Sequence, residues 1–229
     1  MYLLASFTDC NPVERYRAWV EAGGVLRGEK TIGCGINTLA FLDVLFRSDA
    51  EYLVGDLRAK KAAEKWTNRK CKGTSFKELI DYVYAWHDQN APGTLRREAI
   101  TEQVVPIGTQ AEFTLVLNTI ENNLPANSCT IVKFNLKADP EMGHTIVISK
   151  DASGTLMTID PQQESGPRER PSECGVDLAM PCSFDKGFFN AYHKHFQSAS
   201  LMVMYVESGE GGRRTRRRRR RKNRTLRRR

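Results

Sequence analysis

The sequence lacks the long apolar runs that membrane proteins need. No window of its 229 residues approaches the roughly 18 consecutive apolar residues that cross a bilayer. Residues 1–7 show neither a basic n-region nor the long apolar core of a secretion signal. Glycine and proline are not in excess, and we find no internal repeat. We therefore expect a folded, soluble, intracellular protein without a membrane span.

Cysteine and histidine spacings that hold zinc are also missing, since the chain has no paired CxxC or Cys/His motif. His193 and His195 lie two residues apart, where they cannot share one helix face, so they are predicted to be surface or helix-capping residues rather than metal ligands. We expect no metal and no cofactor, and reduced thiols rather than a disulfide framework. The six cysteines are scattered: Cys10, Cys34, Cys71, Cys129, Cys174 and Cys182.

Acidic residues are absent from the basic tail, residues 213–229. The tail holds 13 of the 35 basic residues, so the other 22 face 27 acidic ones and residues 1–212 carry a formal charge near −5. We divide the chain into a globular domain, residues 1–207, and a glycine hinge with a disordered arginine-rich tail, residues 208–229. Because the tail has no aromatic residue, we expect it to bind nucleic acid through phosphates. The residues expected to bind are Arg213, Arg214, Arg216, Arg217, Arg218, Arg219, Arg220, Arg221 and Lys222.

Hydrophobic patterning and capping signals predict helices mainly before residue 125. Two helices should start at capping boxes, one formed by Ser75 and Glu78 and one by Thr109 and Glu112. The segment that starts at Cys34 is apolar on nearly every face and should lie in the centre of the domain. Further helices are predicted at 15–23, 34–46, 56–66 and 183–196.

Short runs rich in Val, Ile, Thr and Phe predict strands after residue 125. Asp, Ser and Gly at 151–154 indicate a turn between the second and third of these strands. Helices followed by strands indicate an α+β domain in which a helical half, with the Cys34 helix at its centre, packs on an antiparallel sheet. The predicted strands are 130–136, 145–149, 156–159 and 201–206.

Three residues stand at positions that suit nucleophilic catalysis. Cys34 follows a glycine and begins the apolar helix, where free N–H groups and the helix dipole favour a thiolate. His144 starts one strand and Asp160 ends the next, so the turn between them should bring the two side chains together at one edge of the sheet. Each residue alone also has a structural interpretation, as a small buried thiol, a strand-start histidine or a turn aspartate. In combination they indicate a Cys-His-Asp triad.

The segments 34–39 (CGINTL), 143–148 (GHTIVI) and 154–162 (GTLMTIDPQ) resemble the Cys, His and Asp boxes of the papain-like cysteine peptidase superfamily. The residue patterns of these segments are similar to those of bacteriocin-processing peptidases and papain-fold toxins. The first segment is also similar to that of ubiquitin-specific proteases. The resemblance covers about residues 28–165. It implies a papain-like fold and a protein or peptide substrate, including a ubiquitin-like one. It also implies that Cys34 attacks a carbonyl, His144 moves the proton and Asp160 aligns His144.

The sequence departs from this family just before the nucleophile. Related enzymes carry a Gln or Asn there that stabilises the oxyanion, whereas residues 28–33 contain no amide side chain. We expect the backbone N–H of Cys34 to serve instead, helped by Thr31 or Gln162. The loss of one oxyanion donor typically costs about 10² to 10³ in rate.

The residues leave more than one function open. The first is a cysteine peptidase or isopeptidase whose basic tail directs it to nucleic acid or the nucleus. The alternative is a catalytically inactive, papain-like structural or nucleic-acid-binding protein, virion-associated, since the tail also resembles those of proteins packaged with DNA in large viruses. A deamidase or acyltransferase is the third, because a Cys-His-Asp site fixes only the acyl-thioester step.

Overall fold

A computed structural model describes residues 2–26, 32–67, 71–90, 92, 99–139, 142–162 and 182–205. Thr31 and the basic tail lie outside these residues. None of the described helices is long and apolar enough to cross a membrane. In chain order the elements are β1 (Tyr2–Leu4), α1 (Pro12–Glu21), α2 (Cys34–Phe41), α3 (Arg47–Thr67), α4 (Phe76–Asn90), β2 (Ile100–Pro106), α5 (Gln110–Asn123), β3 (Ser128–Leu136), β4 (Gly143–Lys150), β5 (Leu156–Ile159), β6 (Cys182–Ser183), α6 (Lys186–Tyr192) and β7 (Phe196–Tyr205).

The strands form one antiparallel sheet whose backbone order is β1-β7-β3-β4-β5-β6, with β2 also on β7. Met204 of β7 pairs with both Leu3 and Ile100, so β1 and β2 occupy opposite edges of β7. The predicted meander is confirmed for β3, β4 and β5, while the last strand pairs with β3 rather than extending the meander. The α+β class with an antiparallel sheet is confirmed.

Two hydrophobic cores lie on opposite faces of the sheet. One core contains side chains from α1 to α4 and from alternate sheet positions such as Ile131 and Val147. The other contains side chains from α5 and α6 and from the neighbouring positions Val132 and Ile146. This alternation follows from the two-residue period of a strand. The sheet is therefore covered on both faces, and the strands β3 and β4 that carry the candidate site are buried almost throughout.

Helix α2 is the most buried of the described helices next to the sheet, since every residue from Gly35 to Phe41 is buried. It is shorter than the predicted 34–46. Asp43 adopts a left-handed conformation with φ of 57°. The N–H of Val44 then bonds the carbonyl of Leu39 at 2.9 Å and that of Asp43 bonds Ala40 at 3.1 Å, which is the hydrogen-bond pattern of a Schellman motif.

The capping signals are confirmed. The N–H and hydroxyl of Ser75 donate to the Glu78 carboxylate at 2.7 Å, and the Glu78 N–H returns a bond to the Ser75 hydroxyl at 3.2 Å. Thr109 and Glu112 form the same reciprocal pair at the start of α5. The helix predicted at 15–23 begins earlier, at Pro12, because Asn11 accepts bonds from two N–H groups of its first turn.

Three further elements do not have their predicted bounds. Helix α3 extends well before residue 56, starting at Arg47, and the last helix is limited to Lys186–Tyr192. The final strand starts at Phe196, before the predicted residue 201. Strand β2 was not predicted, because six of its seven residues are exposed or half-buried and its sequence lacks an apolar alternation. It forms instead by pairing with β7.

Cys10 and Cys129 form a disulfide, so the expectation of reduced thiols is wrong for this pair. Both residues are fully buried, and their Cα atoms lie 5.7 Å apart, within the usual range for a disulfide. The bond ties the N-terminal segment to the start of β3, where Phe7 also pairs with Cys129. A separation of 119 residues gave no sequence signal for this pairing.

Reduction of this disulfide is expected to lower the free energy of unfolding by about 2–4 kcal/mol, because it removes a constraint on a long loop of the unfolded chain. Urea titrations of oxidised, reduced and Cys10→Ala protein measure the change, and peptide mapping without reductant identifies the bond. The Cys71→Ala variant is the control, since Cys71 is a free thiol. Identical unfolding midpoints for oxidised and reduced protein would contradict this expectation.

Candidate active site

Cys34 is the first residue of α2, and Gly33 caps this helix without a side-chain hydrogen bond. The thiol is half-buried. The first N–H groups of a helix have no partner within the helix, so a negative charge on Cys34 gains from them and from the helix dipole. The hydroxyl of Thr38 lies 2.9 Å from the Cys34 carbonyl and 3.4 Å from the Thr145 carbonyl. Thr38 therefore connects helix α2 to strand β4.

His144 and Asp160 are held together by the β4–β5 pairing. His144 is the second residue of β4, Asp160 directly follows β5, and Val147 lies opposite Ile159 in the register. Nε2 of His144 lies 2.5 Å from Oδ2 of Asp160. The Asp160 side chain has no exposure to solvent, whereas that of His144 is 28% exposed. The predicted proximity of these two residues at one edge of the sheet is confirmed.

The predicted turn between β4 and β5 sets this register. Oδ1 of Asp151 accepts bonds from the N–H groups of Ser153 at 2.9 Å and Thr155 at 2.8 Å. Gly154 adopts a φ of 90°, which a residue with a side chain rarely adopts. The turn fixes which residues of the two strands are opposite, and thereby brings Asp160 to His144.

The Asp160 carboxylate is bound at both oxygens. Oδ2 contacts the imidazole, and Oδ1 accepts the backbone N–H of Gln162 at 3.1 Å. Since Nε2 of His144 is occupied by Asp160, the ring nitrogen left for Cys34 is Nδ1. This arrangement orients the imidazole between a carboxylate and a thiol, as the triad chemistry requires.

The environment favours a thiolate and an imidazolium. Burial raises the pKa of Cys34, but the hydrogen bond and positive charge of His144 outweigh it, helped by bonds from Thr145, and the pKa ends below its ordinary value. Burial lowers the pKa of His144, but the charge and hydrogen bond of Asp160, and then Cys34, raise it well above the usual 6.5. Both shifts favour the ion pair of a Cys34 thiolate and a His144 imidazolium over the neutral thiol and imidazole.

Thr145 is a residue of the site that the sequence analysis did not single out. Its backbone and its side chain both hydrogen-bond to Cys34, and only 1% of its surface is exposed. A threonine between His144 and the apolar run that follows was a usable signal, because a buried hydroxyl needs a partner. In this structure the partner is the candidate nucleophile.

Asn37 was also missed as a positioning residue, although it belongs to the first box. It is fully buried in the otherwise apolar helix α2. Its Oδ1 accepts the N–H of Leu26 at 3.0 Å, and its Nδ2 donates to the Gly33 carbonyl at 2.9 Å. Asn37 therefore links the backbone of Gly33, directly before Cys34, to that of Leu26.

Replacement of Asn37 by alanine is expected to cost about 1–3 kcal/mol, because it leaves the buried N–H of Leu26 unpaired, whereas the Gly33 carbonyl still accepts the backbone N–H of residue 37. Urea unfolding measures the loss. The Asn90→Ala variant is a matched control, because the Asn90 amide also donates to a carbonyl four residues earlier, at 2.8 Å, but at an exposed position. Equal effects of the two substitutions would contradict the proposed role of Asn37.

The other predicted site residues have separate outcomes. Gln162 lies beside Asp160, and its Nε2 is buried without a hydrogen-bond partner. Thr31 and the nine basic residues of the tail lie outside the described residues. His193 caps the end of α6, where Nδ1 lies 3.1 Å from the Phe189 carbonyl, as the capping interpretation predicted.

Within the described ranges, no group of three or more His, Cys, Asp or Glu side chains could hold a metal ion.

No protein-family model matches the chain, and no curated protein matches it in sequence. Among solved structures, the crystal structure of the Pseudomonas avirulence protein AvrPphB is similar, with a TM-score of 0.35 and 12% sequence identity. The match covers 89% of this chain and 97% of that one. A TM-score this low supports no conclusion about the site, so the function must be inferred from the contacts of Cys34, His144 and Asp160 themselves.

Proposed function

We propose that this protein is a papain-like cysteine peptidase or isopeptidase in which Cys34 is the nucleophile, His144 the general base and Asp160 the residue that orients His144. The observation that carries the proposal is the 2.5 Å contact between His144 and the fully buried Asp160, with the Cys34 thiol bonded to the same imidazole. A structural histidine has no need of both partners. A nucleophile, a base and an orienting group are the elements of covalent acyl transfer.

The proposed reaction has two halves. In the first, the Cys34 thiolate attacks the carbonyl carbon, and the His144 imidazolium gives its proton to the leaving amine, so that an acyl-thioester remains on Cys34. In the second, His144 takes a proton from water, the hydroxide attacks the thioester, and the carboxylic acid and the Cys34 thiolate are released with His144 protonated again. Asp160 keeps its charge throughout and stabilises the imidazolium.

The oxyanion of each tetrahedral intermediate needs hydrogen-bond donors. We propose that the Cys34 N–H and the Gln162 side chain supply them, since the Gln162 amide nitrogen has no partner in the structure. Gln162→Leu is expected to lower kcat by about 10² to 10³-fold, with a smaller effect on KM.

The matched control for Gln162 is Gln103, an exposed amide on β2. Steady-state kinetics of Gln162→Leu and Gln103→Leu separate a local role from a general loss of an amide. If Gln162→Leu retains the wild-type kcat, the backbone alone provides the donors and this assignment is wrong.

Product analysis tests the proposed function against its alternatives. The protein is incubated with an internally quenched peptide library and with a ubiquitin-derived amide, and the products are identified by mass spectrometry. Hydrolysis gives two fragments that together gain one water. Conversion of a side-chain amide to an acid would instead indicate a deamidase, and a new amide conjugate would indicate an acyltransferase. Absence of all three products would favour the catalytically inactive alternative.

The basic tail extends the proposal from sequence alone. We propose that it binds nucleic-acid phosphates and so localises the enzyme. Since the 13 basic residues of 213–229 would displace counterions, binding should weaken steeply as salt is raised. Deletion of 213–229 should remove this binding without changing peptide hydrolysis, and filter binding at several salt concentrations measures it.

A further inference from the structure

Strand β2 forms one edge of the sheet. Among the described strands it pairs with β7 alone, over its whole length from Ile100 to Pro106. The strand at the opposite edge, β6, has only two residues. An edge strand carries backbone N–H and C=O groups without a partner in the sheet, and these groups can pair with a further strand. The register of β2 with β7 shows which groups point outwards.

The hydrogen bonds between β2 and β7 use the odd-numbered residues of β2. At one end of the ladder, the N–H of Tyr205 donates to the carbonyl of Ala99 at 2.7 Å. At the other end, the N–H of Ile107 donates to the carbonyl of Gln197 at 3.0 Å. Hydrogen-bonded and non-hydrogen-bonded pairs alternate in an antiparallel ladder. The backbone groups of residues 100, 102, 104 and 106 therefore point away from β7.

Both ends of this outer edge are closed. The N–H of Ile100 donates to the hydroxyl of Tyr84, 2.6 Å away, and Pro106 has no N–H. Between these ends, Glu102 and Val104 are exposed, and 58% of the Val104 surface is in solvent. The N–H groups that remain available to a further strand are those of Glu102 and Val104.

These two residues lie symmetrically about Gln103, so a second copy of the same strand is a complementary partner. When two copies of β2 meet antiparallel across a two-fold axis at Gln103, Glu102 of each copy lies opposite Val104 of the other. Each such pair exchanges both of its N–H···O=C bonds. The contact uses the same surface on both copies, as a two-fold dimer requires.

The side chains favour this register over the two nearest alternatives. An axis at Glu102 would place two carboxylates directly opposite each other, which is destabilising. An axis at Val104 would bring Pro106 into the ladder opposite Glu102, where the missing N–H leaves a carbonyl unpaired. The axis at Gln103 avoids both costs.

We propose that the outer edge of β2 is a dimer interface, at which two copies of this chain pair antiparallel about Gln103 and extend one sheet across both copies. Recognition is by backbone hydrogen bonds, and Glu102 and Pro106 set the register. The interface uses none of the proposed catalytic residues, so it does not depend on the proposed hydrolase function. Because one short strand of each copy forms the contact, the interface is small and the dimer is expected to be weak and dependent on concentration.

Sedimentation velocity of the full chain over a range of protein concentrations measures the association. We expect a reversible monomer–dimer equilibrium with a dissociation constant below about 1 mM. It should persist as salt is raised, whereas association through the basic tail, 213–229, would weaken steeply. Cys34→Ala should dimerise like the wild type, so failure of the hydrolase proposal and failure of this one are distinguishable.

Substitutions of Val104 connect the dimer to this edge. Val104→Pro removes an N–H that does not bond β7, and it is expected to raise the dissociation constant by roughly 10 to 100-fold, the effect of losing one hydrogen bond in each copy. Val104→Glu places a carboxylate opposite Glu102 and should also weaken the dimer. Adding Glu102→Lys to Val104→Glu should restore it, because each introduced lysine then lies opposite a glutamate of the other copy.

Tyr52→Glu is the matched control for Val104→Glu, since Tyr52 is an exposed apolar residue of α3 with 78% of its surface in solvent. It should leave the dissociation constant unchanged. Thermal unfolding of each variant confirms that it is folded. The dimer is therefore tested with two independent changes at Val104 and a restoring change at Glu102.

A cysteine at the two-fold axis tests the register. In a non-hydrogen-bonded pair the two Cα atoms lie about 4.5 Å apart, within the range of a disulfide. Gln103→Cys should therefore cross-link two copies under mild oxidation, and peptide mapping identifies the bond. Thr101→Cys, exposed on the same face, is the control. Its two copies would lie roughly 14 Å apart along the paired strands, so it should not cross-link.

The outcomes decide the proposal. Cross-linking by Gln103→Cys, weakening by Val104→Glu and restoration by Glu102→Lys support it together. A wild-type protein that remains monomeric at about 1 mM overturns it. A dimer that both Val104 substitutions leave unchanged uses another surface and overturns it as well. So does slow amide hydrogen exchange at Glu102 and Val104 in the monomer, which would show that another segment of the same chain covers the edge.

Discussion

Cys34→Ala is expected to reduce peptide hydrolysis by about 10⁶-fold, the size of loss seen when a protease loses its nucleophile. The sulfur is the atom that forms the acyl-enzyme, and no other described side chain can replace it in contact with His144. The fold should survive, because Cys34 is half-buried as a residue and an alanine fits the start of α2. Initial rates with the best library peptide measure the effect, and thermal unfolding confirms that the variant is folded.

Cys71→Ala is the matched control for this substitution. Cys71 is also a free, half-buried cysteine, and its sulfur contacts the Leu57 carbonyl rather than a histidine. Its replacement should leave hydrolysis unchanged. If Cys34→Ala retains activity, the nucleophile is elsewhere or the observed hydrolysis comes from a contaminant, and the proposed mechanism is wrong.

His144→Ala has the second largest expected effect, a loss of about 10⁴ to 10⁶-fold in kcat/KM, because it removes both the proton carrier and the charge that stabilises the thiolate. The pKa of Cys34 is lowered by the hydrogen bond and charge of His144. Without the imidazole the burial of the thiol dominates, and the pKa should rise. Residual activity should therefore increase towards alkaline pH, in contrast to the wild type.

Hydrolysis by the wild-type protein is expected to fall, rather than rise, with increasing pH on the alkaline side of its profile. The pKa of His144 is raised well above 6.5, so the protonated imidazolium, and with it activity, is kept above that pH and lost only as His144 deprotonates. Because the pKa of Cys34 is lowered, activity should appear at pH values where an ordinary thiol is still protonated. His195→Ala is the control for His144→Ala, because His195 is exposed and lies directly before strand β7.

The positions of the candidate site residues could be predicted from the sequence because these residues lie at the ends of helices and strands. Cys34 follows a glycine at a helix start, and Asp160 follows a turn and a short apolar strand. These local signals also define the strand pairing that brings His144 and Asp160 together. The papain-like resemblance added roles to residues that the patterns had already selected.

Interactions between distant segments could not be predicted. Cys10 and Cys129 are bridged across 119 residues, and strand β2 forms because β7 offers it a free edge. Neither feature has a local sequence pattern. The Asp43 conformation that ends α2 also lacks the glycine that normally marks such a site, although aspartate is one of the residues that tolerate it.

The supporting contacts were missed for a related reason. Thr145 and Asn37 read as ordinary strand and helix residues, but each is a buried polar group among apolar neighbours. Such groups need partners, and the sequence does not say which ones. In the structure, Thr145 hydrogen-bonds to Cys34. Asn37 hydrogen-bonds to the backbone of Leu26 and Gly33.

The pH dependence of thiol alkylation tests the central claim, a Cys34 thiolate stabilised by His144. Folded protein is treated with iodoacetamide between about pH 5 and 9, and peptide mapping gives the rates for Cys34 and Cys71 separately. An ordinary thiol of pKa about 8.5 is almost entirely protonated at pH 6. Rapid modification of Cys34 is expected at about pH 6, and it should be lost in His144→Ala, while Cys71 should react much more slowly. Equal rates and identical pH curves for the two cysteines would contradict it.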